Sequence, residues 1–488
     1  MSKDSPPTAP VVGFVSLGCP KNLVDSEVMM GLVDRAGARL TSRPEEAEII
    51  VVNTCSFIDA AKQESVDAIL EMARLKSEGR ARKLIVAGCL VERYRDEIRK
   101  WIPEVDAVVG TGELESILEA AGIEAPKTVS PFTILSGTPA GRAEGEQRER
   151  QGRFRRDAWE GAARELPAYL YDEQTPRVLS TPRASAYIKI SEGCDHPCSF
   201  CVIPNLRGKF RSRRFESVVA EAEALVAKGV REITLIGQDT TCYGEDLGLK
   251  DGLAALLDRL AGIEQLRWLR FLYAYPNRIT GRLLETMARH EKICRYLDLP
   301  LQHAAPGVLK RMKRGGGAEI FLKTIDKVRA AVPGIALRTS FIAGFPGESL
   351  RDFELLEEFI AEAKFDWLGV FGYSDEEGSE AHGLEGKLPK RTIEARRRRM
   401  MKLQQEISRR AKQTWVGREL LVLVEGESEE TPLLWEGRTE FHAPEIDGKL
   451  YINDFGERER LEAGRFYRAQ ITESHDYDVV ARILAGPL

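Results

Sequence analysis

No uninterrupted apolar run among the 488 residues reaches the ~20 that a helix needs to cross a bilayer, so no membrane-spanning helix is expected. The first ten residues, Met1-Ser-Lys-Asp-Ser-Pro-Pro-Thr-Ala-Pro10, are polar and proline-rich and lack the apolar core of a secretion signal. The expectation is a cytoplasmic protein with reduced thiols, in which clustered cysteines serve a metal or catalysis rather than disulfides. Net basic charge is missing as well: 71 Lys and Arg stand against 76 Asp and Glu, a net charge of −5. No overall positive field draws the chain to nucleic acid or to a membrane surface. Short repeats and long low-complexity tracts are absent, which argues against a repeat array or a disordered chain.

With 43% hydrophobic and 30% charged residues the chain reads as globular, and its length asks for two to four domains. Residues 1–10 are expected to form a disordered tail. Within 11–121, short apolar strands at 11–17, 48–54, 83–87 and 105–109 alternate with helices at 25–40, 58–77 and 112–121. That alternation is the signature of βαβ units on a parallel sheet. Residues 122–182 turn to Pro, Gly, Ser, Thr, Arg and Glu and read as a linker with a charged, partly ordered segment at 146–165. Its basic patch, Arg153-Phe-Arg-Arg156, is either a solvated face or a contact for a phosphate backbone.

A regular rhythm starts at Ala186. Strands are expected at 186–190, 232–236, 269–273, 296–299, 336–342 and 367–371, with helices at 216–229, 250–261, 279–290, 317–331 and 349–363 between them. Six strand–helix units make a partial (β/α)6 barrel or a curved parallel sheet, and this domain, 183–410, ends in a basic helix at 390–413. Residues 411–488 hold short strands at 419–424, 449–452 and 466–471, a small all-β module. The fold class is therefore α/β: an N-terminal parallel α/β domain, a central partial barrel and a C-terminal β-module.

Eight cysteines stand at 19, 55, 89, 194, 198, 201, 242 and 294. Cys194, Cys198 and Cys201 are spaced C-x-x-x-C-x-x-C in Ser191-Glu-Gly-Cys-Asp-His-Pro-Cys-Ser-Phe-Cys201, just after the first barrel strand. Three thiolates can converge there, with no fourth cysteine or suitably spaced histidine close by. A closed structural zinc site wants four protein ligands. A four-iron cube held by three cysteines keeps one iron open for a substrate or cofactor. Barrels of this kind place their chemistry on loops after the strands. Cys19, Cys55 and Cys89 each follow an expected strand, and the carboxyl ends of parallel strands share one ligand-binding edge. These three either meet in space or are small buried side chains, as free cysteines often are. Cys242 and Cys294 have no partner set and read as ordinary thiols.

The C-x-x-x-C-x-x-C motif, with Phe200 before its last cysteine, resembles the radical S-adenosylmethionine superfamily. The resemblance implies a 4Fe–4S cluster on Cys194, Cys198 and Cys201, whose fourth iron chelates the amino and carboxylate groups of S-adenosyl-L-methionine near Phe200. Ile236-Gly-Gln-Asp239 resembles the superfamily's segment near the methionine amino group, which implies cofactor contacts at Gly237 and Gln238. Ile342-Ala-Gly-Phe-Pro-Gly-Glu348 resembles its glycine-rich segment near the adenine and adds Gly344. Read without the resemblance, both segments are ordinary turns. A preceding domain with one cysteine after each of three strands resembles the methylthiotransferases. That implies a second 4Fe–4S cluster, also with an open iron, on Cys19, Cys55 and Cys89. Residues 11–121 then correspond to the methylthiotransferase N-terminal domain, 183–410 to the radical core and 411–488 to a TRAM-like domain.

The family has two main branches. Val15-Ser-Leu-Gly-Cys-Pro-Lys-Asn-Leu-Val-Asp-Ser-Glu27, the cysteine motif running on to Pro204, and Gly237-Gln-Asp-Thr-Thr241 resemble the branch that methylthiolates the β-carbon of an aspartate in small-subunit ribosomal protein S-twelve. This implies a basic protein substrate as partner, besides an electron donor and a sulfur source, with no membrane and with room for nucleic acid contact through the ribosome. Residues 411–488 carry 9 Lys/Arg against 16 Asp/Glu, which suits a basic protein partner or is a solvated acidic surface. The basic runs 207–214 and 396–399 keep an alternative open, the methylthiolation of an adenosine in transfer RNA. A zinc-stabilised scaffold without catalysis is a third reading.

Overall fold

Strand and helix alternate through the first 120 residues, and the apolar runs stack side by side. The computed structural model of the chain describes residues 9–124, 166–431 and 433–488. Most of the expected tail, the charged segment 146–165 and the patch Arg153-Phe-Arg-Arg156 lie outside the described residues. The N-terminal domain runs β1 (Val11–Ser16), α1 (Pro20–Arg35), β2 (Arg39–Thr41), β3 (Ile49–Thr54), α2 (Asp59–Glu78), β4 (Lys83–Gly88), α3 (Cys89–Trp101), β5 (Ala107–Val109) and α4 (Ile117–Ala121). Its five strands are all parallel in the order β2-β1-β3-β4-β5. β3 is buried along its whole length, as expected for a central strand covered on both faces. Chain direction across the sheet reverses between β1 and β3, the switch point where such sheets hold ligands.

Three local expectations change. Helix α1 begins at Pro20, five residues before Asp25, because proline at the first helical position has its φ preset and lacks only an amide that would be unpaired anyway. Arg39–Thr41, expected at the tail of that helix, instead pairs with β1 as an edge strand. The stretch expected as one helix from Gly112 is a 3-10 turn at Leu114–Ser116 that runs into α4. Helix α3 was not expected: four of its thirteen residues are Arg or Lys, which hides its apolar stripe.

The central domain runs β6 (Ser185–Lys189), β7 (Ser191–Glu192), α5 (Ile203–Arg207), β8 (Arg211–Ser212), α6 (Phe215–Ala227), β9 (Glu232–Ile236), α7 (Gly252–Ala261), β10 (Trp268–Phe271), α8 (Gly281–Arg289), β11 (Tyr296–Asp298), α9 (Pro306–Arg311), α10 (Ala318–Ala331), β12 (Ala336–Ala343), α11 (Leu350–Ala363), β13 (Trp367–Gly372) and α12 (Lys390–Gln413). β6-β9-β10 and β11-β12-β13 are two parallel sheets, and the amide of Ala274 donating to Asp298 O at 3.0 Å joins them after β10 and at the end of β11. The result is a partial (β/α)6 barrel. Its core is packed by fully buried Ile188, Leu235, Leu269, Leu297, Leu337 and Phe341. Among the described residues no helix is long and apolar enough to cross a membrane.

The C-terminal module is a closed five-stranded barrel, β14 (Glu419–Glu427), β15 (Trp435–Arg438), β16 (Leu450–Asp454), β17 (Phe466–Ser474) and β18 (Val479–Ala485), in the order β14-β15-β16-β18-β17. It caps the amino-terminal ends of the central strands. Arg438 pairs with Glu232 at the start of β9 (2.6 Å), and the Trp367 indole at the start of β13 donates to Phe441 O (2.7 Å). The N-terminal domain covers the other mouth. Residues 166–182, in the stretch expected as a linker, pin it there: Arg177 bridges Glu27 of α1 (2.6 Å) and Glu221 of α6 (2.7 Å).

Candidate active site

The register of the N-terminal sheet sets Ser16 beside Asn53 and Thr54 beside Gly88, so the three cysteine-bearing loops leave one edge together. Cys19 caps α1, Cys55 follows β3 and Cys89 opens α3. The loops crowd. A Cβ on Gly18, which has φ +89°, would stand 2.7 Å from the Cβ of Cys55, so only glycine lets the Cys19 loop pass. Asn22 stitches the site, its amide donating to Leu17 O (2.9 Å) and Thr54 O (2.8 Å) while the Cys89 Sγ lies 3.9 Å from its Oδ1. Ser65 holds both the amide and the carbonyl of Cys55. Burial pushes the Cys89 thiol up to about 12, with the charges of Cys55 and Cys19 adding to the rise. Burial acts the same way on Cys19, but the Lys21 ammonium and the Arg207 guanidinium outweigh it and bring that thiol below its usual value.

Cys194, Cys198 and Cys201 lie on the loop between β7 and α5. That loop is held from several sides. The Ser199 amide donates to Met312 O (3.1 Å), its hydroxyl donates to Arg311 O (2.8 Å), and its carbonyl accepts from the Ala381 amide (2.7 Å). Arg314 donates toward the Cys198 Sγ at 3.6 Å. Burial raises the Cys194 thiol to about 12 and raises the Cys201 thiol further. Thiols that resist losing a proton by themselves become ligands when a metal centre takes the proton's place.

The two sets face one another. Cys89 packs with Val202 and Leu206, the former immediately after Cys201. Arg207 closes the gap electrostatically, meeting Asn22 Oδ1 (2.7 Å), Asp25 (3.0 Å) and Glu192 (3.1 Å), while Lys189 pairs with the same two carboxylates. Arg207 and Lys189 outweigh the burial of Glu192 and hold its carboxyl well below the usual range. All four side chains are buried, and Asp25 comes from the N-terminal domain.

The donor sets fit four-iron clusters better than single ions. Thiolates on one tetrahedral ion, at bonds of about 2.3 Å, stand about 3.8 Å apart. Among the described residues only His196, Asp239 and Cys242 bring three donors within 4.8 Å of one another, and neither three-cysteine set is drawn in so closely. That compact group is satisfied by its own hydrogen bonds. Asp239 accepts from His196 (2.6 Å), from the Cys242 thiol (2.9 Å) and from the Thr241 amide (2.9 Å). His196 in turn stacks on Tyr275, ring centroids 4.0 Å apart, and the Arg314 guanidinium covers Tyr275 at 4.5 Å. Cys242, read from sequence as an ordinary thiol, thus belongs to the support of the cysteine loop, while Cys294 is buried at the far mouth, in the electrostatic reach of Arg270.

The other expected cofactor contacts are distributed around the same opening. A Cβ on Gly237 would lie 2.4 Å from the Ser191 Oγ, so a side chain there would turn the Ser191 hydroxyl out of its place. Gln238 donates to Glu192 at 2.6 Å, and its Oε1 and the Ser191 Oγ are buried without hydrogen-bond partners. These two free polar atoms beside Gly237 fit a polar ligand such as the methionine end of S-adenosylmethionine. Phe200 is half-buried against the barrel core. Gly344 makes room for α12, since a Cβ there would stand 2.5 Å from Ile393. Asn22, inside the Val15–Glu27 motif, and Arg207, at the head of a basic run, were not marked by spacing as residues of this site, and neither were Lys189 or the His196–Asp239 pair. His196 and Asp239 do lie inside quoted motifs, but nothing in spacing links positions 43 apart.

Three family models match the chain: Uncharacterized protein family UPF0004 over residues 11–110, the Radical SAM superfamily over 188–360 and the TRAM domain over 416–484. Curated relatives match along almost the whole length. The ribosomal protein uS12 methylthiotransferase RimO of Koribacter versatilis is 66% identical over 99% of this chain and 98% of its own. The protein of that name from Solibacter usitatus is 57% identical over 97% and 95%, and that from Trichlorobacter lovleyi is 46% identical over 97% and 98%.

Proposed function

The chain belongs to the ribosomal protein uS12 methylthiotransferase family, and from that premise we infer that it attaches a methylthio group to the β-carbon of an aspartate side chain of uS12. It is a radical S-adenosylmethionine enzyme. The observation that carries the reading is the packing of Cys89 on Val202 and Leu206, which brings two three-cysteine sites to one opening.

All six cysteines are free thiols, and Cys194, Cys198 and Cys201 would hold one 4Fe–4S cluster and Cys19, Cys55 and Cys89 the other. Bound there, the clusters and S-adenosylmethionine supply the electron, radical and sulfur chemistry that an unactivated C–H bond needs. The polypeptide positions these groups and excludes water. Ser191, Gly237 and Gln238 provide the opening and polar atoms for the methionine end of S-adenosylmethionine, with Phe200 and Gly344 at the same mouth. Asp239 fixes the His196 ring on Tyr275 and so stiffens the loop of Cys194 and Cys198. The Arg207 network keeps the two domains in register across the opening. The partner is uS12, a basic protein, and the acidic C-terminal module suits it. An electron donor and a sulfur source complete the reaction.

The test is anaerobic incubation of the reconstituted protein with S-adenosylmethionine and reductant, with uS12 in one vessel and transfer RNA in another. A mass gain of one methylthio group is expected on the uS12 aspartate. A gain on transfer RNA in its place overturns the assignment.

A further inference from the structure

One buried lysine in this opening has no carboxylate in ion-pair contact among the described residues. Lys21, two residues after Cys19, is 8% exposed. Its Nζ donates to Gly237 O at a long 3.3 Å and sits 3.3 Å from the centre of the Tyr273 ring. Of the anions whose charge reaches it, Cys19 is a cluster ligand, and the carboxylates Glu192 and Asp298 are already engaged, the first by Lys189 and Arg207 and the second by Arg338 at 2.8 Å. A buried ammonium with three donors and one carbonyl is strongly under-satisfied, and the natural complement is a carboxylate. The Tyr273 ring is held under it by a strained backbone, a non-glycine residue at φ +62° fixed by its amide donating to Asp298 (3.0 Å) and its carbonyl accepting from Thr240 (3.1 Å).

We propose that Lys21 is the specificity-determining residue of the reaction, its ammonium gripping the side-chain carboxylate of the substrate aspartate between the two cysteine sites. This rests on the uS12 reading and deepens it. The β-carbon of an aspartate is bonded directly to the carboxylate carbon, so a hold on the carboxylate places the reacting carbon within one bond of a fixed point. Lys21 is suited to that by position: its backbone adjoins the Cys19 site, and its head lies against Gly237 on the S-adenosylmethionine side.

The shared chemistry, a carboxylate, is also carried by S-adenosylmethionine, so the test separates the two sources. Reconstituted wild type, Lys21→Met and Lys21→Arg are compared for iron content, for S-adenosylmethionine affinity, and for binding of a synthetic peptide spanning the modified uS12 aspartate and of its Asp→Asn twin. Wild type should prefer the aspartate peptide by about tenfold or more, as a hydrogen bond between charged groups warrants. Lys21→Met should bind both peptides alike and raise KM for uS12 more than it lowers kcat, with iron and S-adenosylmethionine affinity unchanged. Lys21→Arg should keep most of the preference. Lys21→Met that still prefers aspartate, that loses iron, or that loses S-adenosylmethionine affinity overturns the proposal. Failure of wild type to modify uS12 at all would instead defeat the assigned function, a result separate from any difference between the variants.

Discussion

Arg207 Nη2 donates to Asn22 Oδ1 at 2.7 Å, and that bond ties the helix after Cys201 to the helix after Cys19. The same guanidinium neutralises Asp25 and Glu192, one from each domain. The opening between the cysteine sites is thus clamped by a buried charge network rather than by apolar packing alone. Such a network is weak as a source of stability while intact but costly to break, because it leaves charges buried without partners.

Arg207→Met should therefore destabilise the protein strongly. Lys189 would be left alone with two buried carboxylates. The expected loss is about 3 kcal/mol, by analogy with other broken buried pairs. Urea unfolding followed by tryptophan fluorescence measures it, and an unshifted midpoint would show that the clamp is not where the domains are held.

The two cysteine sets should hold iron independently. The reconstituted protein is expected to carry about eight irons per chain, and Cys55→Ala and Cys198→Ala about four each. The two variants should differ in chemistry. Cys55→Ala keeps reductive cleavage of S-adenosylmethionine to 5′-deoxyadenosine but transfers no methylthio group, whereas Cys198→Ala loses both. Iron analysis beside product chromatography decides it, and full methylthio transfer by Cys55→Ala would sink the two-cluster assignment.

Much of this was legible in the residues before any fold was known, for identifiable reasons. The central strands fell within three residues of their expected ends because their apolar side chains stand out between amphipathic helices, as Ile233, Leu235 and Ile236 do in Glu232–Ile236. Cys194, Cys198 and Cys201 were legible because their ligand spacing is local. The clamp was not. Asn22 and Arg207 are 185 positions apart, and Lys21 and Gly237 are 216 apart, so no periodicity connects them. Strands β15 and β18 were missed for a different reason: β15 has only four residues and opens Trp-Glu-Gly, and β18 is exposed over its last two. Register in that small barrel is set by closure, which no single segment encodes.

Asp239 supports the cysteine loop through His196, without touching the expected cluster position itself. Asp239→Ala should leave iron content at the wild-type level. It should slow S-adenosylmethionine cleavage by about 10- to 100-fold, as loss of a residue that orients a metal site typically does. Asp239→Asn keeps an acceptor for the imidazole and should restore most of the rate. The electron paramagnetic resonance signal of the reduced cluster gives a second readout, since a displaced His196 ring changes the surroundings of Cys194 and Cys198. Equal rates in the alanine and asparagine variants would remove Asp239 from the positioning role.

Lys412 tests the junction of the last barrel helix with the C-terminal module. Its Nζ lies 3.6 Å from the centre of the Trp367 ring and 4.4 Å from that of Trp415, and it meets no hydrogen-bond acceptor among the described residues. Burial lowers its pKa from 10.5 to about 8. The sign follows from proton counting. Between pH 8 and 10.5 the unfolded chain holds a proton on this lysine that the folded chain has released, so this group makes stability rise with pH across that window. Below pH 8 the ammonium is charged in both states and its burial penalty is fully present. Lys412→Met removes the penalty and keeps the length of the side chain. It should be more stable than wild type at pH 7 by about 3 kcal/mol, the free energy of the fall from 10.5 to about 8, less whatever the two indole faces contribute. That advantage should shrink steadily above pH 8 and be gone near pH 10.5, because wild type gains there and the variant does not. Paired urea titrations of the two proteins from pH 7 to 10.5 isolate this lysine from the other groups that ionise at alkaline pH. A difference between them that stays constant over the range would show that Lys412 keeps an ordinary pKa at the junction.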